Sequence, residues 1–276
     1  QESVDLVSNC YLCECLDALS KMAALLGREE EAARYGERLQ ALRTRIGEEF
    51  YDPETARYAT GSQIDQIYPM LAGVTASEEV PKVTQRLFRE TRERLGGHIG
   101  CGLVGVTVLT DWAIREEQAD FVCSMLRKRD VPGYLAMIDR GATTTWEHWA
   151  GDRSRIHNCF NGIGAWFVQA LGGIRPDERD PGYRHILFRP QTPTGIRWVR
   201  ATKETPYGTA AIDWEIAEGR FAADIVVPAN STATFFLPDG VRTCELDGRT
   251  TGTPDGRVAL AAGRHTLACA TGHGSR

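Results

Sequence analysis

No apolar run in this 276-residue sequence reaches the roughly 18 residues that a membrane span requires, so a membrane protein is not expected. The opening "QESVDLVSNC" has neither a basic n-region nor an apolar h-region. No secretory signal is read there, and a cytoplasmic location is the expectation. An initiator methionine is also missing, and the chain enters a helical pattern almost at once, as the middle of a longer protein would. An excess of positive charge is lacking: 32 Lys and Arg stand against 37 Asp and Glu, for a mildly acidic net charge of −5, with no basic stripe. That argues against a nucleic-acid surface. Metal spacing is absent among the eight cysteines. Cys10, Cys13 and Cys15 cluster as "CYLCEC", with no nearby His or fourth Cys to complete a site. They are expected to be small residues facing neighbouring helices. Cys244 and Cys269 could pair across a β domain in a secreted protein, but without a secretion signal reduced thiols are expected. "GGHIGCG" lacks the Lys-Ser/Thr ending and the preceding strand of a phosphate loop.

What is present suits a folded protein with a sizeable core, since 42% of residues are hydrophobic and 25% charged. Val7, Tyr11, Cys15, Leu19, Met22 and Leu26 recur at steps of four and three, and Gly27 ends the run. A second run holds Ala32, Tyr35, Leu39, Leu42, Ile46 and Phe50. Each series predicts a helix with one apolar face. Turn residues follow in "YDPETARYATGSQ", then a short helix over "QIDQIYPMLAG" and another with Ser77 as its cap. "LVGVTVLTDWAI", "ADFVCSMLRK" and "CFNGIGAWFVQALGG" add three more helices, giving about seven in all. The character changes in "IRPDERDPGYRHILFRPQTPTG", rich in proline and charge. Beyond it, apolar and polar residues alternate between Gly, Pro and Asn turns, which predicts an antiparallel β-sandwich. The expected domains are therefore 1–176, helical, and 177–276, β. Helical hairpins whose loops gather polar and aromatic groups at one end suit part of an (α/α)6 toroid, because seven helices do not close a twelve-helix ring.

The chemistry concentrates in "GATTTWEHWAGDRSRIHNCFNGIGAWF". Glu147 lies between Trp146 and Trp149. Large rings strip water from a carboxylate, and rings also stack on the apolar faces of sugars. A carboxylate among aromatics is what glycoside hydrolysis uses as acid, base or nucleophile. The alternative is a helix-start glutamate in a partly exposed loop. The three threonines can fix the loop through hydroxyl bonds to backbone. His148, adjacent on an extended segment, should face away from Glu147. His157, just before the last helix, could return to the pocket and bond a sugar hydroxyl or the carboxylate, or could be an ordinary bonded histidine. Gln63 and Asp65 open a helix, where an aspartate also suits the dipole. His98 either lines a pocket or sits on a turn, and Asp111 reads as a helix-surface acid.

"GATTTWEHW", "HNCFNGIGAWF" and "IRPDERDPGYRHILFRPQ" resemble the C-terminal part of bacterial α-L-rhamnosidases, glycoside hydrolase family 78. "GSQIDQIYPMLAG", "GGHIGCGLVG" and "DVPGYLAMIDRGATTTWEHW" fall in that family's order. The resemblance implies an (α/α)6 toroid followed by a C-terminal β-sandwich, and inverting hydrolysis of terminal α-L-rhamnosyl bonds; hydrolysis by two carboxylates needs no metal or other cofactor. It makes Glu147 the water-activating base and His157 a rhamnose contact, with Trp146, Trp149, Gln63, Asp65 and Tyr134 as further substrate-binding candidates. This chain reads Ile156-His157-Asn158 where the family usually reads Asn-His-Tyr. The family's general acid follows a Gly-Asp-Trp element, which this sequence lacks. The partners implied are a carbohydrate substrate and the N-terminal half of the catalytic domain, not nucleic acid or membrane. Another toroidal glycosidase, such as a glucoamylase-like or unsaturated-uronyl hydrolase, and a fragment that only binds carbohydrate are the alternatives.

Overall fold

A computed structural model describes residues 3–271, which divide into two compact units. One runs to Glu116 and includes Phe121–Gly162; the other joins Glu117–Asp120 to the residues from Ile163 onward. Among the described residues there are eight α-helices, followed by the two main sheets. No helix is long and apolar enough to cross a membrane.

The helical unit begins with α1 (Val4–Leu25) and α2 (Glu29–Phe50), which pack together as a helical hairpin. The Ser3 hydroxyl caps α1 by accepting from the Leu6 N–H at 3.3 Å. On α2 the expected stripe is the buried one, with Leu39 and Ile46 in the core. On α1 it is not. The core face carries Leu6, Cys10, Cys13, Leu16 and Ala23, whereas Tyr11 is 61%, Met22 51% and Leu26 73% exposed. This helix is apolar on two sides, so periodicity alone selects a stripe without saying which one meets a neighbour. Cys10 and Cys13 do face neighbouring helices, and all eight cysteines are free thiols.

A two-strand ribbon, β1 (Tyr51–Asp52) with β2 (Arg57–Tyr58), leads to α3 (Gln63–Leu71). The next helix, α4 (Val80–Arg94), starts at Val80 with Pro81 in its first turn and Glu79 before it, rather than on a Ser77 cap. Helix α5 (Leu103–Arg115) is buried along most of its length and packs on α3. Trp112 of α5 meets Phe121 edge-on at 6.0 Å, and Phe121 stacks obliquely on Phe88 at 4.6 Å. Phe121 belongs to α6 (Ala119–Leu126), and α7 (Tyr134–Asp139) closes the helical run.

The second unit opens with a short α8 (Ile163–Trp166), which widens into a π turn over Phe167–Leu171. One continuous α-helix is the sequence expectation here; instead the last turn is wider, with the Gly172 N–H donating to the Phe167 carbonyl five residues back at 3.0 Å. Then come β3 (Ile174–Pro176), β4 (His185–Phe188), β5 (Trp198–Thr205), β6 (Gly208–Ala217), β7 (Arg220–Val227), β8 (Thr232–Phe236), β9 (Thr243–Leu246), β10 (Arg249–Gly252), β11 (Arg257–Leu260) and β12 (Gly263–Ala270). A six-stranded sheet runs β10-β9-β12-β7-β6-β5, and a four-stranded one β11-β8-β4-β3. Ile212 and Trp214 of β6 point inward while Asp213 and Glu215 point out, the two-residue period of a half-buried strand. Ile186, Phe188, Trp214, Phe221, Ile225 and Phe235 form the shared core, each worth about 1.5–3 kcal/mol of burial. Trp214 also donates its indole N–H to the Leu171 carbonyl at 2.8 Å. One pair departs from the antiparallel expectation: β4 runs parallel to β8. Alternation reports which face is buried, not strand direction, so the sequence pattern is the same either way.

His265 of β12 sits 2.9 Å from the Asp247 carboxylate and 2.9 Å from the Ala261 carbonyl. Burial opposes a charged imidazole, but these two acceptors outweigh it and raise the His265 pKa. The Asp247 carboxyl is held below its usual range by His265 and by the Thr266 N–H. A raised histidine pKa contributes stability that is complete below the unfolded value, near about 6.5, and fades as pH climbs through the folded one. The depressed Asp247 contributes above its unfolded value and fades as pH falls through the folded one. The destabilisation caused by His265→Gln in urea unfolding should therefore be largest near about pH 5–6 and shrink toward about pH 8. An equal loss at both ends would remove the charged pair from the account.

Candidate active site

The segment between α7 and α8 folds back on itself, and two backbone pairings make the fold. The His157 N–H donates to the Thr145 carbonyl at 3.0 Å, and the Glu147 N–H donates to the Ser154 carbonyl at 2.9 Å. Thr145 reinforces the first pairing: its hydroxyl lies 2.6 Å from the His157 carbonyl and 2.5 Å from Asn161 Oδ1. The Glu147 carboxylate accepts the Ser154 N–H at 3.3 Å, reinforcing the second. Glu147 and His157 thus sit on the two arms of one braced loop, both half-buried. Of the three threonines expected to hold this loop through their hydroxyls, Thr145 does so, while Thr143 and Thr144 are exposed.

The imidazole of His157 has a defined tautomer. Nδ1 accepts the Cys159 N–H at 3.0 Å, so in the neutral ring the proton resides on Nε2. That nitrogen is a donor suited to a hydroxyl oxygen. His148 pairs instead with Asp152, Nδ1 to Oδ1 at 3.2 Å, on the exposed part of the loop.

The two tryptophans pack against different partners. Trp146 is only 3% exposed. Its ring lies against Gly151, where a Cβ would collide with it, and the Arg155 guanidinium sits 5.1 Å from the ring centroid. Gly151 also has φ +71°, a backbone region that disfavours side chains. Trp149 stacks on Phe160 at 3.8 Å with the planes 17° apart, and Tyr134 meets it edge-on at 5.2 Å. The Tyr134 hydroxyl donates to the Phe160 carbonyl at 2.7 Å, and burial pushes its pKa up. Sequence reasoning misses Phe160, Asn161 and Ser154, because a loop has no period from which to read partners.

Gln63 and Asp65 have different company. Both are buried at the start of α3, where the Ser62 hydroxyl accepts the Asp65 N–H at 3.3 Å as an N-cap. Asp65 accepts the Ser3 N–H at 3.0 Å and the Thr60 hydroxyl at 2.5 Å. Gln63 donates to Thr91 Oγ1 at 2.9 Å and to the His98 carbonyl at 3.0 Å, and accepts the Gly100 N–H at 2.6 Å. None of these bonds reaches the 145–157 loop. His98 bridges the glycine-rich loop to the segment before α7: Nδ1 is 2.7 Å from the Pro132 carbonyl and Nε2 3.2 Å from Asp130. Asp111, expected on a helix surface, is half-buried; burial raises its pKa, against the pull of Arg115. Among the described residues no group of three or more His, Cys, Asp or Glu is placed to hold a metal ion.

Residues 1–171 match the family model described as the bacterial alpha-L-rhamnosidase 6 hairpin glycosidase domain, and residues 173–252 match the bacterial alpha-L-rhamnosidase C-terminal domain. A curated alpha-L-rhamnosidase from Formosa agariphila is 25% identical over 89% of this chain and 27% of its own length. One from Streptomyces avermitilis is 27% identical over 85% of this chain and 23% of its own. The crystal structure of an alfa-L-rhamnosidase from Aspergillus terreus superposes with a TM-score of 0.86 at 24% identity, over 98% of this chain and 31% of that one. A Streptomyces avermitilis α-L-rhamnosidase solved with L-rhamnose gives 0.84 at 22% identity, over 96% and 27%. The chain therefore spans about a quarter to a third of the relatives it matches.

Proposed function

Because this chain belongs to the bacterial α-L-rhamnosidase six-hairpin glycosidase family, we propose that it is the C-terminal part of an enzyme that hydrolyses terminal α-L-rhamnosides with inversion. Glu147 acts as the base that takes a proton from the attacking water. His157 donates its Nε2–H to a hydroxyl of the sugar. The observation that supports this most is the braced loop, which holds a carboxylate acceptor and a fixed imidazole donor on paired arms.

Inversion needs a second carboxyl, protonated, about 6.5–9.5 Å from the base so that a water fits between them. Asp152, the other carboxylate of this loop, is engaged by His148. We assign the proton donor to the portion of the enzyme that this chain does not span. The same portion supplies cover for α1, whose Tyr11, Met22, Leu25 and Leu26 leave an apolar face in solvent. Contiguous apolar surface of that kind is uncommon on monomers.

The deciding assay compares this chain with a longer polypeptide that contains it, on a panel of aryl glycosides. Turnover of the aryl α-L-rhamnoside by the longer protein, and little by this chain, is expected. Full turnover by this chain alone would refute the assignment of the acid elsewhere, and preference for another glycoside would refute the sugar. His157→Asn keeps an acceptor for the Cys159 N–H but removes the Nε2–H donor. It should raise KM about three- to tenfold, the worth of one neutral hydrogen bond, with Tm unchanged. An unchanged KM would take His157 out of the sugar subsite.

A further inference from the structure

The outward face of the six-stranded sheet carries an arrangement that the rhamnosidase reading does not use. Strand register sets Trp198, Glu215, Ala222, Ala268 and Glu245 in one continuous row across β5, β6, β7, β12 and β9. Residues directly opposite one another in a ladder share a face. Beside this row stand Arg200, Asp213, Asp224 and Thr266 in the same order. Two alanines at the middle of a row flanked by long charged side chains leave a furrow. Its volume is about 420 Å³, with Arg200, Asp213, Glu215, Arg220, Asp224 and Glu245 along it.

Three features set this face apart from an ordinary solvated sheet surface. Trp198 is 64% exposed, on an outer strand of the sheet. Asp213 and Asp224 are direct cross-strand partners, and like charges placed opposite each other destabilise a sheet. Alanine in the central strands forgoes the packing that β-branched residues would give. Meanwhile two guanidinium groups hold carboxylates at the furrow walls, Arg200 to Asp213 at 2.7 Å and Arg220 to Glu245 at 3.2 Å. Trp198 stands beside the furrow rather than in its lining, and Arg200, which does line it, lies 5.8 Å from the Trp198 ring centroid.

We propose that this face binds a neutral oligosaccharide, separately from the site at Glu147. An exposed indole offers its face to the C–H side of a sugar ring. Carboxylates accept hydrogen bonds from sugar hydroxyls and guanidinium groups donate to sugar oxygens, and charge-assisted bonds of this type are the stronger ones. The furrow's lining has four carboxylates and two guanidinium groups, so an anionic chain is repelled. The carboxylates are spread along strands rather than converging, and no metal-type cluster is found among the described residues. With strands about 4.8 Å apart, Trp198 stands roughly 10 Å from Ala222, so an occupant touching both is longer than one sugar ring.

Affinity gel electrophoresis of the 276-residue chain tests this, using gels cast with a rhamnan, a galactomannan, a xyloglucan or polygalacturonate. Retardation by at least one of the three neutral polymers is expected, persisting in about 0.5 M NaCl, where exposed charge attraction is screened. Trp198→Ala, which removes an exposed side chain, should weaken that binding about tenfold, as losing an aromatic anchor does. Ala222→Gln fills the furrow without adding charge and should weaken it similarly, with circular dichroism and Tm unchanged in both. His157→Asn, which removes the donor assigned to the sugar at the catalytic site, should leave the retardation intact, which separates this site from that one. No retardation by any neutral polymer, retardation by polygalacturonate alone, or equal retardation of wild type and both variants would overturn the proposal. So would binding that salt abolishes, since retention that depends on screened charge is not the stacking and hydrogen bonding proposed here.

Discussion

Glu147→Gln, made in a longer polypeptide that completes the helical unit, should lower kcat on an aryl α-L-rhamnoside by roughly 10²–10⁴-fold, the usual contribution of a positioned acid or base. The geometry makes this a clean substitution. The amide oxygen of glutamine can still accept the Ser154 N–H that the carboxylate now accepts at 3.3 Å. The backbone pairing of 147 with 154 involves no side chain. Loop shape and Tm should therefore hold while proton abstraction from water fails. KM should stay within about threefold, because the role proposed for Glu147 is on water and not on the sugar hydroxyls. Addition of azide, a small anion that attacks without needing deprotonation, should restore part of the rate. A Glu147→Gln enzyme with near-normal kcat would remove Glu147 from the mechanism and leave the braced loop as a structural element.

Gly173→Ala should cost the β unit about 3–5 kcal/mol, adding left-handed backbone strain to a steric collision. Gly173 has φ +71° and links the π turn to β3. A Cβ there would strike the backbone of Arg189 and Pro190. That backbone cannot withdraw easily: the Arg189 N–H donates to the Gly173 carbonyl at 2.9 Å, and Ile174 pairs with Phe188 just beyond. Phe188 belongs to the sandwich core, so relief of the clash would disturb the inner face of the smaller sheet. Thermal unfolding should show the β transition lowered by more than roughly 10 °C. Gly182→Ala is the matched comparison. It has φ +84°, but a methyl group there would meet nothing within 4 Å, so it carries strain without collision. Its loss should stay near about 1 kcal/mol. Equal losses at the two glycines would show that backbone conformation, not the close approach to Arg189 and Pro190, decides the effect.

The fold was largely legible because most elements bury one face and so carry a period. The stripe of α2 and the alternation in β6 and β7 read directly as helix and strand, and both keep their expected inward residues. Periodicity failed where an element has apolar groups on both sides. Helix α1 offers two stripes, and only the packing of α2 and α3 against it selects Leu6, Cys10, Cys13 and Leu16 over Tyr11, Leu19 and Met22. It failed again for strand direction, which leaves no mark on alternation, so the parallel pairing of β4 with β8 is visible only in three dimensions.

At the candidate site the same division holds. Residue types and their order within "GATTTWEHW" determined by themselves that a carboxylate, tryptophans and a hydroxyl brace share one loop, since these groups are neighbours in the chain. The sequence equally determined the family likeness and the expected pairing of a helical with a β unit. Only tertiary structure decided that Thr145 bonds across to His157 and Asn161, that Cys159 fixes the imidazole tautomer, and that Trp149 stacks on Phe160. It likewise directed Gln63 and Asp65 toward the glycine-rich loop and the start of α1. The physical reason is that a side-chain hydrogen bond or ring contact depends on where the backbone turns. In an aperiodic loop those turns are set by long-range packing, which no local pattern encodes.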